Sequence, residues 1–252
     1  MNPSAVTALP LADLDRLLES TATPPPPSPH ALEDWQMQRD DAPIFSYLFA
    51  QFAPRRHLEF GTWQGFGTCL CLEACRATVW TLNLPDGEAK PDGGWAYSER
   101  ITDESKSPAG AVTTNFGQDE AGPRTYHRTD AGTYVGRLYR EKNLGHRVCQ
   151  VFCDSRHWDT SNYPPGFFDS VLIDGGHQPD IVISDTRKAL PLLRSRGIML
   201  WHDYCPKPEI IAQSAAAQGV TAAIKSLLPE LKAALSTLVW IEPSYILLGI
   251  KK

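Results

Sequence analysis

Acidic and imidazole side chains fall at the ends of two apolar runs. FFDSVLI, residues 167–173, is followed by Asp174-Gly175-Gly176-His177, and IMLW, residues 198–201, by His202-Asp203-Tyr204. An imidazole titrates near neutral pH and suits general-base work. Carboxylates favour hard divalent ions and imidazoles softer ones. On residue types alone, His177 and Asp174 suit proton transfer, and Asp174, His202 and Asp203 suit a metal, so a metal-dependent hydrolase is one enzyme they could build. A third run carries a different chemistry. HLEF, residues 57–60, turns through Gly61, Gly65 and Gly67 into an apolar segment, 68–77, that reads as a helix. A strand, a glycine-rich turn and a helix aim backbone N–H groups at the edge where open α/β sheets bind nucleotide-like ligands. Glycine lets the backbone approach such a ligand with no Cβ in the way.

These residues need a parallel sheet to bring them together, and the chain has the pattern for one. Further strands are expected at 78–84, 148–153 and 198–204, with helices at 131–142 and 180–193 between strands and one from about 210 to 235 after them. Two final strands, 238–241 and 245–250, are joined by only Glu-Pro-Ser, which implies an antiparallel pair. Before the glycine turn, residues 31–52 read as a helix interrupted near Pro43. Leucines at 9, 11, 14, 17 and 18 have amphipathic helical spacing. TATPPPPSPH, residues 21–30, then reads as a stiff linker that sets this first helix apart. The division expected is therefore 1–30, helix and Pro-rich linker, and 31–252, an α/β domain.

Composition narrows the function. Against 24 lysines and arginines stand 29 acids, a formal net charge of −5. With no basic run, neither nucleic acid nor an anionic membrane is an expected partner. No apolar stretch reaches the roughly 18 residues that span a bilayer, and the first residues lack the pattern of a signal peptide; a cytoplasmic protein is expected. The six cysteines form no C-x-x-C pair and read as reduced packing residues. The glycine spacing G-x-x-x-G-x-G is not G-x-G-x-x-G, and the second strand ends on Asn83 rather than an acid, which argues against a nicotinamide-dependent oxidoreductase.

Taken in order, LEFGTWQGFGT, VWTLNLPDG, VFCDS, SVLIDGGH and RGIMLWHDY resemble motifs I to V of class I S-adenosyl-L-methionine (SAM) dependent methyltransferases. IDGGH and WHDY, followed by GVTAAIKSLL, look like the small-molecule O-methyltransferase branch that includes the macrocin-type and cephalosporin-pathway enzymes. The resemblance implies an α/β Rossmann-like class I methyltransferase sandwich, its sheet seven-stranded and mostly parallel with an antiparallel strand at the C-terminus. It implies Glu59, Gly61, Thr62 and Gly65 at the methionine end of SAM, Asn83 at the ribose, and Asp154 with Ser155 at the adenine. It implies catalysis by His177 and Asp174, and Mg²⁺ or another divalent cation on Asp174, His202 and Asp203. The acceptor implied is a hydroxyl of a small organic or sugar-containing molecule, and a homo-oligomer is compatible with it. A non-catalytic SAM-binding protein is the alternative that Asn83 and the detached N-terminal segment leave open.

Residues 85–130 have no counterpart in that resemblance. About 45 residues without a period of 2 or 3.6 exceed an ordinary connection, and they leave from the ligand edge, as a lid or substrate loop would. Deleting 88–125 is expected to spare SAM binding, measured by calorimetry, and to lower acceptor turnover; a folded deletion that no longer binds SAM would assign the segment to the donor side instead.

Overall fold

A computed structural model describes residues 6–84, 112–114, 124–126 and 135–252. The strands among them are β1 (Thr7–Pro10), β2 (Arg56–Phe60), β3 (Thr78–Asn83), β4 (Val112–Thr114), β5 (Arg124–Tyr126), β6 (Val148–Phe152), β7 (Phe168–Ile173), β8 (Leu193–Trp201), β9 (Leu235–Glu242) and β10 (Leu247–Lys251). The helices are α1 (Leu14–Leu17), α2 (Ala42–Phe52), α3 (Phe66–Ala74), α4 (Arg137–Glu141), α5 (Pro179–Leu192), α6 (Pro208–Gln213) and α7 (Ala215–Ala234). One sheet runs in the order β1-β9-β10-β8-β7-β2-β3-β6. Strands β6, β3, β2, β7 and β8 are parallel neighbours. β10 is antiparallel to both β8 and β9. This is the Rossmann-like methyltransferase sandwich that the motif order implies, with its antiparallel C-terminal strand.

The strand count is corrected from seven to eight, and the same residues correct the N-terminal helix. Thr7 to Pro10 pair in parallel with Val239 to Glu242. Only a 3-10 turn, Leu11–Asp13, and the single turn α1 follow. Pro10 explains the change: it biases the residue before it to extended backbone and has no N–H to offer a helix. A proline is tolerated in β1 because this is an edge strand. The helical leucine spacing still works locally, since Leu11 and Leu14 are buried.

The helix expected over 31–52 is also corrected. It divides into a 3-10 turn, Leu32–Asp34, a π turn, Met37–Asp41, and α2, with Pro43 in its first turn where its missing N–H costs nothing. Asp40 is buried and ties the π turn to the Pro-rich segment, accepting from Ser28 Oγ at 2.6 Å and pairing with His30 Nδ1 at 2.8 Å. The expected helix over 210–235 breaks at Ser214, whose Oγ caps α7 by accepting from the Ala217 N–H at 3.2 Å. The expected lid falls outside the described residues, except that β4 and β5 pair antiparallel.

Two apolar layers hold the sheet, and the alternation along each central strand divides residues between them. Val171, Ile173, Met199 and Trp201 face the layer built with α5, α6 and α7. Leu172, Ile198 and Leu200 face the layer with α1, α2 and α3. No helix among the described residues is long and apolar enough to cross a membrane.

At the edge of the sheet away from the strand C-termini, Asp169 accepts from the backbone N–H groups of Arg55 and Arg56 at 2.9 and 2.8 Å and from Arg194 Nε at 2.8 Å. Burial works to raise its pKa, but those N–H groups and the Arg194 charge outweigh it and hold the carboxyl below its usual range. Its stabilisation is therefore complete above the unfolded value, about 3.9, and lost as pH falls through the lower folded value. Asp169→Asn is expected to lower stability to urea at pH 7 by about 1.5–3 kcal/mol, with the gap to the wild-type protein closing in acid. A gap that stays constant to pH 2 would remove the charge from this account.

Candidate functional site

The site is assembled where β2, β3, β6, β7 and β8 end. After β2 the chain turns through Gly61, whose φ is +96°, and Gly65, whose φ is +90° and which caps α3. The N–H groups of Gly61 and Thr62 donate to the Leu82 carbonyl at 2.8 and 3.1 Å, and Asp174 N–H donates to the Phe60 carbonyl at 2.9 Å. A Cβ on Gly61 would lie 2.0 Å from the Asp174 carbonyl oxygen. Glycine is therefore required there by the neighbouring strand's backbone, as well as by any ligand. Gly65 lines neither of the two cavities described below.

Glu59 is buried beneath this turn and lines neither cavity. Its Oε2 accepts from the hydroxyls of Thr68 and Thr81. Thr62 Oγ1 lies 2.7 Å from Thr81 Oγ1 and accepts from Gln150 Nε2 at 2.9 Å, and Gln150 Oε1 accepts from the Tyr139 hydroxyl at 2.9 Å. A chain of polar groups thus runs under the glycine turn from α4 to β2. Burial pushes the Glu59 carboxyl up to about 8, against the pull of the two threonine hydroxyls. Glu59 and Thr62 hold the turn from below, and only Thr62 also reaches a cavity wall.

The first cavity, about 400 Å³, lies over the ends of β3, β6 and β7 and is lined by Gly61, Asn83, Asp154, Ser155, Gly176 and Ile181 among others. Asn83 faces it with both polar atoms engaged: Oδ1 accepts from the Trp63 N–H at 2.9 Å and Nδ2 donates to the Leu84 carbonyl at 2.7 Å. An aspartate could not make the second bond, which gives a reason for an amide at this strand end. Asp154 is likewise occupied. Arg156 donates to it from its backbone N–H, from Nε and from Nη2. Burial raises the Asp154 pKa, but Arg156 more than reverses this and holds it below the ordinary value.

The second cavity, about 260 Å³, shares Gly61 and His177 with the first and adds Met37, Gln38, Trp63, Phe66, Asp174, His202 and Asp203. His202 is the hinge of this region. Its Nε2 lies 3.1 Å from Oδ2 of buried Asp41, and its Nδ1 lies 3.0 Å from Asp174 Oδ1 and 3.2 Å from Asp203 Oδ2. Burial alone would lower its pKa, but the charges of Asp203 and Asp174 override this and hold it well above the ordinary value. Both ring nitrogens therefore carry protons. In this arrangement both ring nitrogens of His202 are engaged by carboxylates, and the group of ligand-capable atoms among the described residues leaves it out.

His177 Nε2 is 2.9 Å from Asp203 Oδ2. Asp174, His177 and Asp203 each bring one ligand atom within 4.8 Å of the others. Burial lowers the His177 pKa, but the hydrogen bond and charge of Asp203 and the charge of Asp174 raise it overall. Burial likewise works to raise the Asp203 pKa, and the two histidines outweigh it and keep this carboxyl ionised far below its usual range. Asp203 reaches both rings from a left-handed backbone, φ 58°, a conformation aspartate tolerates better than most residues.

The expected residues are thus brought to one edge, as two adjoining groups, and the structure adds others. Asp41 went unread because an acid before a proline at a helix start is an ordinary feature of sequences. Asp185 lines the first cavity from inside α5, where its helical position gave no signal. His57 is buried with Nδ1 2.7 Å from Ser170 Oγ; burial lowers its pKa to about 3, and it is a neutral packing residue.

With this geometry in hand, a profile of the family described as "methyltransferase domain" matches residues 58–204. Among solved structures, an O-methyltransferase from Bacillus cereus in complex with SAH, S-adenosylhomocysteine, is 17% identical. The alignment covers 88% of this chain and 84% of that one, with a TM-score of 0.51. An SAH-bound methyltransferase from Podospora anserina is 14% identical over 84% of this chain and 78% of that one, TM-score 0.51. At these identities the likeness is one of fold. A comparison with curated proteins finds no match.

Removing Asp41 would leave the His202 charge without its inner partner. Asp41→Ala is expected to cost about 3–5 kcal/mol in urea unfolding, the usual penalty for an uncompensated buried charge, and Asp41→Asn less, since an amide oxygen still accepts. An alanine variant within 0.5 kcal/mol, roughly the scatter of neutral surface changes, would show that the Asp41 contact is dispensable.

Proposed function

The chain belongs to the methyltransferase-domain family, and from that premise we propose that it transfers a methyl group from SAM to a hydroxyl of a small organic or sugar-containing acceptor. The observation that carries this reading is the pair of cavities meeting at Gly61 and His177. One is a polar-ended slot at the strand edge where nucleoside ligands bind in such sheets. The other is lined by Met37, Trp63 and Phe66 on one side and by the acid–histidine cluster on the other. In this reading the first takes SAM and the second the acceptor. Within that family, the IDGGH and WHDY motifs support the macrocin- and cephalosporin-type branch in this reading. A hydrolase reading of the acids and histidines has no support from the family.

SAM supplies a methyl group made electrophilic by its positive sulfur. The acceptor oxygen must be aligned with that carbon and lose its proton, and the residues present divide those tasks. Asp203 fixes His177 at the junction, and His202 fixes Asp203 and Asp174. Against burial, Asp203 and Asp174 raise the His177 pKa above its ordinary value, so this ring keeps its proton to higher pH than a free imidazole. Two carboxylates and an imidazole within 4.8 Å of one another are a divalent donor set, and a cation bound there would displace the His177 proton. Bound there by Asp174, His177 and Asp203, such an ion would lower the pKa of the acceptor hydroxyl. One imidazole among the donors favours Mn²⁺ or Fe²⁺ over Mg²⁺.

Calorimetry with SAM tests the first part of the proposal, and no heat of binding at millimolar concentration would overturn it. EDTA treatment is expected to abolish methyl transfer and Mn²⁺ to restore it. Asp203→Ala is expected to bind SAH like the wild-type protein and to turn over at least 100-fold more slowly, about 2.7 kcal/mol of transition-state stabilisation. Full activity after exhaustive chelation would take the cation out of the mechanism.

A further inference from the structure

The first cavity contains a carboxyl group that the described residues leave unanswered. Asp185 projects from the second turn of α5 beside Asp154, Ser155 and Arg156. It is 1% exposed, and among the described residues neither Oδ1 nor Oδ2 has a hydrogen-bond partner. The other buried acids among the described residues each have at least one partnered oxygen: Asp40, Asp41 and Asp169 accept hydrogen bonds, and Glu59 accepts through Oε2 though not Oε1. A buried polar group without a partner costs stability, and such a group facing a cavity is explained most directly by a ligand that completes it.

Asp154 cannot easily fill that role. It borders the same space, but Arg156 donates to both of its oxygens, in part through the guanidinium fork. Asp185 has no such guard. Resting on the SAM reading above, we propose that Asp185 receives the exocyclic amino group of the donor's adenine ring and determines which base the cavity accepts. Asp154 is then a positioning residue that locks Arg156 in the cavity wall.

The ionisation of Asp185 fits this chemistry. Burial pushes its pKa up to about 7, with Asp154 adding to the rise and the Ser155 hydroxyl, Lys188 and Arg156 pulling against it. The Ser155 hydroxyl acts on it, although no hydrogen bond of ordinary geometry joins the two. A neutral carboxyl offers one O–H donor and one carbonyl acceptor. The Watson–Crick edge of adenine offers the complement, an amino donor beside a ring-nitrogen acceptor. Asparagine presents the same donor–acceptor pair, as it does when it reads adenine in nucleic acids, whereas leucine keeps the volume and offers neither.

The test is calorimetry with SAH and with the analogue whose purine lacks the 6-amino group, on the wild-type protein, Asp185→Asn and Asp185→Leu. The wild-type protein is expected to prefer SAH by about tenfold, the size of one hydrogen bond. Asp185→Asn should keep that preference. Asp185→Leu should lose about tenfold in SAH affinity and bind the two ligands equally, while its ligand-free melting temperature holds or rises because a buried unpartnered group has gone. A tenfold preference that persists in Asp185→Leu overturns the assignment, as does a wild-type protein indifferent to the 6-amino group; the second result decides the matter even if the leucine variant fails to fold. No binding of SAH by the wild-type protein would instead overturn the SAM reading, and the assignment with it.

Discussion

The interaction that the rest of the site depends on is the charge on His202. Three carboxylates from three parts of the chain, Asp41 in the π turn, Asp174 after β7 and Asp203 after β8, converge on one ring. Without a cation among them their mutual repulsion in a water-poor interior would be severe. A lysine could neutralise them but could not present two donors along fixed opposite directions. Imidazolium can, and that geometry sets where Asp174 and Asp203 point. His177 is then aligned at second hand, through Asp203. Geometry of this kind is held by buried partners whose own rotamers are fixed, and Phe45 packs against the His202 ring at 5.8 Å between centroids.

The glycine turn obeys a similar logic from the opposite direction. Glu59 and Asn83, which by position belong beside a ligand, are engaged mostly with the protein itself. Glu59 anchors a row of hydroxyls and amides beneath the turn, and Asn83 holds the backbone of Trp63, a residue in left-handed conformation at φ 44°. A backbone arranged as a ligand cradle has many groups that do not satisfy one another, and the side chains nearest to it are drawn into holding it still. The residues left to meet a ligand directly are then ones farther along the fold.

This is also why the architecture was legible in the sequence and the site only in part. FFDSVLI, the glycine turn and the two C-terminal strands are long, strongly patterned runs, and each became the element expected. The position of Asp174, His177, His202 and Asp203 at strand ends followed from that. Their division of labour did not, because it depends on Asp41, more than 130 residues away from any of them in the chain and visible only once α2 is packed. At the N-terminus one proline outweighed five well-spaced leucines. A helical period records which residues are buried, and Leu11 and Leu14 are buried as that period demands, but it cannot record that an edge strand precedes them.

That edge strand bears on how the molecule is made. Thr7 pairs with Val239, so a segment made early waits for one made more than 230 residues later. Closing a contact across nearly the whole chain carries a large loop entropy and is a late event in folding. Until β9 arrives, residues 7–10 have no strand to join, and until β1 docks, the outer side of β9 offers unpaired N–H and carbonyl groups to any passing strand. The sheet is therefore exposed to misassembly during the interval between formation of β9 and capture of β1. Pro10, which interrupts the row of backbone donors on β1, limits how far a foreign strand could continue the sheet beyond it.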